Sequence, residues 1–250
     1  MLGITRRGFG GSSVPATGYT AGRLGDDVVA VIDALKLNRP VLVGHSMAGE
    51  ELSAVGSRHP EKIAGLVYLE AAYAYGFYSP AVGDLVLDSI DLRSKLAGLL
   101  PGNGRPDQQH LTEELLQTMA LVERELKERQ EQMKGMEDPP RPAPGTKSAV
   151  PVPIQGIFAG EQKFTELHVP ALAIFAVPHD LKDFFKDDPA GLAKAEAADG
   201  VLVGAQADAF EKGVPSAHVV RIAHANHFIF GSNEAEVLRE MDAFLGSLPP

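Results

Sequence analysis

The chain has 250 residues, 44% of them hydrophobic, and a formal charge of −10 at pH 7. That length can bury one substantial core with a lid or small subdomain attached, and the acidic balance argues against nucleic acid or an anionic membrane as the main partner. The absence of cysteine excludes disulfides, thiolate catalysis and Cys-ligated metals.

No run approaches the roughly 20 apolar residues of a membrane span. The N-terminal stretch from Met1 to Arg7 lacks the apolar centre of a signal peptide. As written the sequence reads as cytoplasmic; a missing upstream segment would leave a secreted or periplasmic protein open.

Along the chain, strands and helices alternate. Residues 2–5 form a short strand candidate, followed by the glycine-rich loop Arg7-Gly8-Phe9-Gly10-Gly11. Thr20 caps a predicted helix running to about residue 35, with Leu24, Val28, Val31, Ile32 and Leu35 on one face. The β-branched run Pro40-Val41-Leu42-Val43 reads as a strand, and a helix from Gly49 ends near His59-Pro60. Residues 64–69 form the next apolar strand. Short apolar strands between amphipathic helices suit a parallel sheet covered on both faces, an α/β fold.

From about residue 76 to 166 the pattern turns helical, most clearly over 112–134, where Leu115, Met119, Val122 and Leu126 form an apolar stripe. A Pro-rich crossing at 139–145 follows, extended by Pro151 and Pro153. The strand pattern resumes at 169–177, continues with a helix over 204–212 and a strand over 217–223, and closes with a helix over 233–245. The expected organisation is a core of residues 1–75 and 167–250 carrying a helical cap at 76–166.

Chemistry concentrates at the strand ends. In Gly44-His45-Ser46-Met47-Ala48-Gly49 a strand turns at once into a helix, and small residues flank a serine lifted onto the corner. A serine hydroxyl needs a base, and the base works better when a carboxylate orients it. Asp180 and His227, at the ends of the later strands, supply the acid and the base, and the crevice outside the strand ends is where ligands bind in such sheets. Glu70, at the end of the strand after the elbow helix, is the rival acid, and His224 the rival base. An Asp at position 180 also suits a helix N-cap. His45 is expected to pack beside the elbow without chemistry, and His179 to lie outside the reacting groups. Tyr73, Tyr75 and Phe77, with Phe228, suggest a mostly apolar substrate pocket, although plain packing accounts equally for the first three. No phosphate-loop spacing and no confident metal pattern is present.

These motifs resemble the α/β-hydrolase family, in particular cap-bearing, cofactor-free serine esterases. Arg7-Gly8-Phe9-Gly10 looks like the loop after that family's fourth strand, the Ser46 corner like its nucleophile elbow, Pro178-His179-Asp180 like its acid loop and Asn226-His227-Phe228 like its histidine loop. The resemblance implies Ser46 as nucleophile, His227 as general base, Asp180 as the orienting acid and the Met47 amide as an oxyanion donor. It implies a small-molecule ester substrate, with no cofactor, metal, nucleic-acid or membrane partner; oligomeric state stays open. It equally admits a C–C hydrolase, thioesterase or perhydrolase. The family carries three further strands and a His-Gly loop before this point, absent here, so the reading frame is expected to start late and the N-terminal strands to be lacking. With Met47 as the one identifiable donor, a catalytically impaired or non-catalytic fragment is the remaining alternative, since losing one oxyanion donor costs about a hundred- to a thousandfold.

Overall fold

Four parallel strands position everything that follows in the structure, a computed structural model that describes residues 1–100, 107–134 and 150–249. In chain order the elements are α1 (Ala21–Ala34), β1 (Val41–His45), α2 (Gly49–Arg58), β2 (Gly65–Leu69), α3 (Leu85–Ala97), α4 (Gln108–Gln132), α5 (Val152–Ala159), β3 (Ala171–Ala176), α6 (Pro189–Gly213), β4 (Ala217–Ile222), α7 (Ile229–Ser232) and α8 (Glu234–Ser247). The strands pair in sequence order, all parallel. His45 lies in register with Leu69, so the residues that leave β1 and β2 emerge side by side. The architecture is the expected α/β class, with a helical insertion between β2 and β3.

The apolar runs of β2 and β3 are buried at every position, and their alternation sends side chains to opposite faces. Leu66, Tyr68, Ala171, Ala173 and Phe175 meet Leu52 and Val55 of α2 and Val203, Ala207 and Phe210 of α6. Val67, Leu69, Leu172, Ile174 and Ala176 meet Val237 and Phe244 of α8 on the other face. Each large apolar side chain so buried contributes about 1.5–3 kcal/mol. Local signals start the helices: the Thr20 hydroxyl accepts from the Arg23 amide at α1, and Asp188 accepts from the Gly191 amide ahead of Pro189 at α6.

Four expectations change. Residues 2–5 form no strand, so β1 is the outer strand of the described sheet and Val43 is 49% exposed. α6 starts at Pro189, not at 204, because its first half is Ala- and Gly-rich and only Val203, Gln206, Ala207 and Phe210 carry the burial that periodicity detects. Pro151 and Pro153 do not extend an irregular stretch but open α5, where a missing N–H costs nothing. The rest of the Pro-rich crossing, 139–145, lies outside the described residues. On α4 the buried face is Leu111, Leu115 and Thr118, while Met119 and Leu126 are each 51% exposed. They line an open groove of about 430 Å³ with Leu92 and Val122.

Candidate active site

β1 delivers the elbow. Between β1 and α2 the chain makes a single 3₁₀ turn over Ser46–Ala48, and Ser46 sits at φ 54°, in the left-handed region. A non-glycine residue held there costs about 1–3 kcal/mol and persists only where its surroundings impose it. The surroundings are visible. A Cβ at Gly49 would run into the Ala71 carbonyl and lie 3.1 Å from the Tyr75 ring. One at Gly44 would lie 2.9 Å from the Ala48 side chain. The small residues around Ser46 are therefore packing requirements of the corner.

β4 and its following loop deliver His227. His227 Nε2 lies 3.0 Å from Ser46 Oγ, within reach of the serine proton. The loop is pinned from the elbow itself: His45 Nε2–H donates to the His227 carbonyl at 2.8 Å. Burial lowers the His45 imidazole below its ordinary value and keeps it neutral. His45 thus does more than pack beside the elbow: it ties the elbow to the His227 loop.

The acid at the other imidazole nitrogen is Glu70. His227 Nδ1 lies 3.2 Å from Glu70 Oε2. Glu70 is fully buried and, like Ser46, left-handed at φ 51°. Its Oε1 accepts from the Ala176 amide at 2.6 Å. Its Oε2 also accepts from the Tyr73 hydroxyl at 2.7 Å and from His179 Nε2 at 2.6 Å. Burial alone would raise this carboxyl, but the bonds from His179, Ala176 and Tyr73 outweigh it and hold Glu70 below the usual carboxylate range. His179 in turn faces Asp199 of α6 through Nδ1 at 3.1 Å. Above all the Glu70 bond, and further Asp199, push the His179 imidazolium up to about 9 against the opposing effect of burial.

Asp180 is not brought to His227. Its carboxylate turns back on its own loop, accepting from the Lys182 amide at 3.1 Å and pairing with Lys182 Nζ at 3.5 Å. An Asp closing a turn on the amide two residues ahead is ordinary turn chemistry. The expectation of Asp180 as orienting acid therefore fails on geometry, and the rival, Glu70, occupies the place. His224 faces Glu196 at 3.4 Å, away from Ser46. Phe77 is likewise displaced from the expected pocket. It is buried in the core against Phe210. The Tyr73 hydroxyl is committed to Glu70. Tyr75 does come near Ser46: burial and then the Glu70 charge raise its phenol, and Ser46 pulls the other way. Phe228 stands 59% exposed beside the ring of His227. Met47 follows the nucleophile and packs against Tyr19, Leu24 and Ile157.

The Arg7–Phe9 loop closes one side. Arg7 grips Asp27 of α1 with two bonds at 2.5 and 2.6 Å. Gly8 at φ 83° passes so close to Pro153 that a Cβ would lie 2.7 Å from its ring. Arg6 donates to Glu51 at 2.8 Å. Beside Glu51 on the first turn of α2, Glu50 is 1% exposed and its Oε2 has no partner among the described residues. Burial, then Glu161 and Glu51, push Glu50 up to about 9, so it is a neutral acid at pH 7.

Glu70, His179 and His227 are also the described residues whose ligating atoms gather most like a metal site, all within 4.8 Å of one another. The 2.6 Å separation of His179 Nε2 and Glu70 Oε2 is a direct hydrogen bond. A cation between them would need each atom about 2.0–2.2 Å from itself on separate bonds. The cluster is held together by its own protons.

A parallel sheet that brings a serine, a histidine and a buried carboxylate together at its strand ends has the architecture of a hydrolase-like fold, and the sequence profile of the alpha/beta hydrolase fold matches residues 2–234. The chain belongs to the α/β-hydrolase fold family. It is 26% identical over 92 residues to the 2-(acetamidomethylene)succinate hydrolase of Mesorhizobium japonicum, covering 37% of this chain and 31% of that one. It is 33% identical over 110 residues to the AB hydrolase superfamily protein YisY of Bacillus subtilis, covering 40% and 41%. The matches thus span about a third to two fifths of those relatives' lengths. A hydrolase crystal structure from Pseudomonas aeruginosa superimposes over 97% of this chain and 78% of its own, with a TM-score of 0.52 and 20% identity. Among the described residues no helix is long and apolar enough to cross a membrane.

Proposed function

We propose that this chain is a serine hydrolase that cleaves a small, mostly apolar carboxylic ester. The observation that carries the reading is the line Ser46 Oγ–His227 Nε2–His227 Nδ1–Glu70 Oε2, at 3.0 and 3.2 Å. In this reading His227 takes the Ser46 proton as Oγ attacks the ester carbonyl. Glu70 holds the imidazole with Nδ1–H toward itself and stabilises the imidazolium that forms. The Met47 amide, next after the nucleophile at the head of a helical turn, donates to the developing oxyanion. The imidazolium then returns its proton to the leaving alkoxide, and water, activated by the same His227, releases the acid from Ser46.

Family membership and the similarity to 2-(acetamidomethylene)succinate hydrolase support hydrolysis over other chemistry. Exposed Phe228 and half-buried Tyr75, both beside the reacting groups, support an apolar acyl or alcohol portion. The division into a core and a helical cap at 76–166 belongs to the same proposal, with the insertion covering the site.

The test is labelling of the purified chain with a fluorophosphonate probe. Label on the wild type and none on Ser46→Ala is the expected result. A folded wild-type sample that takes no label refutes the reading. p-Nitrophenyl esters of increasing acyl length then rank the substrate, with short chains expected to turn over fastest.

A further inference from the structure

Of the charged groups beyond the three reacting residues, His179 is the one built into them. It stands in the loop after β3 and joins two carboxylates from different elements. Nε2–H donates to Glu70 Oε2 at the end of β2, at 2.6 Å. Nδ1–H faces both Asp199 oxygens on α6, at 3.1 and 3.2 Å, and the His179 amide donates to the same carboxylate at 2.7 Å. The ring is largely buried, with 17% of the side chain exposed, against a fully buried Glu70. Both ring nitrogens therefore donate, which requires the imidazolium. The ring centroids of His179 and His227 are 6.3 Å apart, with Glu70 Oε2 shared between them.

We propose that His179 is a positioning residue for the serine-hydrolase chemistry, a cationic clamp that fixes Glu70 toward His227 and offsets part of its charge. The inference rests on the function proposed above and adds a second histidine and a second carboxylate to the catalytic line. The loop that by resemblance would supply the acid here supplies a cation that braces an acid from the neighbouring strand.

Two effects follow from the geometry. First, Glu70 Oε2 serves three donors, and the shortest bond is that from His179, so the carboxylate's orientation depends on this ring more than on His227 itself. Second, a cation against the far side of Glu70 weakens the pull of that carboxylate on a proton at His227. The other charged or titratable groups facing His179 are Asp199 of α6, His227 from the loop after β4 and Tyr73 from the loop after β2, whose hydroxyl donates a hydrogen bond to Glu70. The Glu70 bond, which pushes the His179 imidazolium up to about 9, keeps the ring charged at pH 7. Asp180, next in sequence, is occupied by Lys182.

His179→Gln separates the two effects, because a Gln amide can donate near the Nε2 position without charge, whereas His179→Ala removes both. With turnover normalised to fluorophosphonate-labelled Ser46, His179→Ala is expected to lose about ten- to a hundredfold in kcat with KM within about twofold. His179→Gln is expected to recover most of that loss. In both variants the acid limb of the kcat/KM profile moves to higher pH, by about half a unit or more. Histidine-ring ¹H–¹⁵N NMR reads the same displacement at His227 without turnover, so the inference stands or falls even if no ester is cleaved. Should His179→Ala fail to fold, His179→Gln carries the measurement. An unchanged His227 titration in His179→Gln overturns the proposal whatever happens to kcat. Absent labelling of wild-type Ser46 overturns the hydrolase reading instead.

Discussion

Exchanging Glu70 for Gln, beside Asp180 for Asn, puts the choice of acid to a direct measurement. In the wild type Glu70 Oε1 accepts from the Ala176 amide, and Oε2 accepts from His227, His179 and Tyr73. A Gln has one oxygen, so it must leave either Ala176 N–H or three donors facing an NH₂ group. The less costly orientation sacrifices Ala176, and a buried donor left unpaired costs about 1–3 kcal/mol of stability. The oxygen still meets His227, but the negative charge that stabilises the imidazolium is gone. Removing the orienting acid of a serine triad while keeping its shape lowers kcat by about 10⁴-fold, or about 5 kcal/mol of barrier. Some tautomer control survives in Glu70→Gln, so about a thousand- to ten-thousandfold is expected. Asp180→Asn keeps the bond to the Lys182 amide and touches neither imidazole. It should change kcat/KM less than about twofold, as surface substitutions away from special features do. The assay is hydrolysis of p-nitrophenyl acetate by active-site-titrated enzyme, with circular dichroism to show that each variant is folded. A folded Glu70→Gln near wild-type rate, together with an inactive Asp180→Asn, would refute the reasoning.

Three further expectations follow from the same residues. Glu50 has a folded value near 9 against an ordinary 4.5. Stability from its neutral form is therefore fully present below about pH 4.5 and lost as pH rises through 9. Glu50→Gln, neutral in both states, should be more stable than wild type at pH 7 by about 3 kcal/mol and equal to it near pH 4.5. Urea unfolding at the two pH values measures this, and a gain independent of pH would contradict it. Gly49→Ala should destabilise by about 1–3 kcal/mol and abolish labelling of Ser46, since the new methyl meets the Ala71 carbonyl. Full labelling of that variant at unchanged Tm would show that the corner is not so tightly packed. His45→Phe keeps an aromatic ring against Phe228 but drops the bond to the His227 carbonyl. It is expected to lower kcat about tenfold by loosening the base, with Tm falling only slightly; an unaltered kcat would remove His45 from the positioning of the base.

Much of this site is legible in the sequence, for reasons local to the chain. The elbow is readable because a left-handed serine between a strand and a helix demands small neighbours, and Gly44, Ala48 and Gly49 stand there. His227 is readable because it falls just past an apolar strand. The acid is not. Glu70 and Asp180 both follow apolar parallel strands, and nothing within either segment tells which carboxylate faces the imidazole. That choice is made by packing. His179 turns toward Glu70, and Asp180 is drawn off by the Lys182 amide. A sequence signal for Glu70 does exist in hindsight, since β2 neighbours β1 and its last residue aligns with His45. Using it requires the strand order. The first half of α6 is not legible for the opposite reason, because its Ala and Gly residues leave no periodic pattern.

Because β1, α2 and β2 form one contiguous unit, Ser46 and Glu70 are set relative to each other by a short piece of chain and a single strand pairing. His227 arrives from far along the sequence and is tied to that unit by side-chain and carbonyl contacts rather than by a shared element. Local opening of the C-terminal part, from the loop after β4 through α8, would withdraw the base while leaving nucleophile and acid in place. Heating should then extinguish turnover before the sheet melts, and the loss should reverse on cooling, so the working lifetime of this fold is governed by the attachment of these roughly twenty-five residues and not by the pairing of its strands.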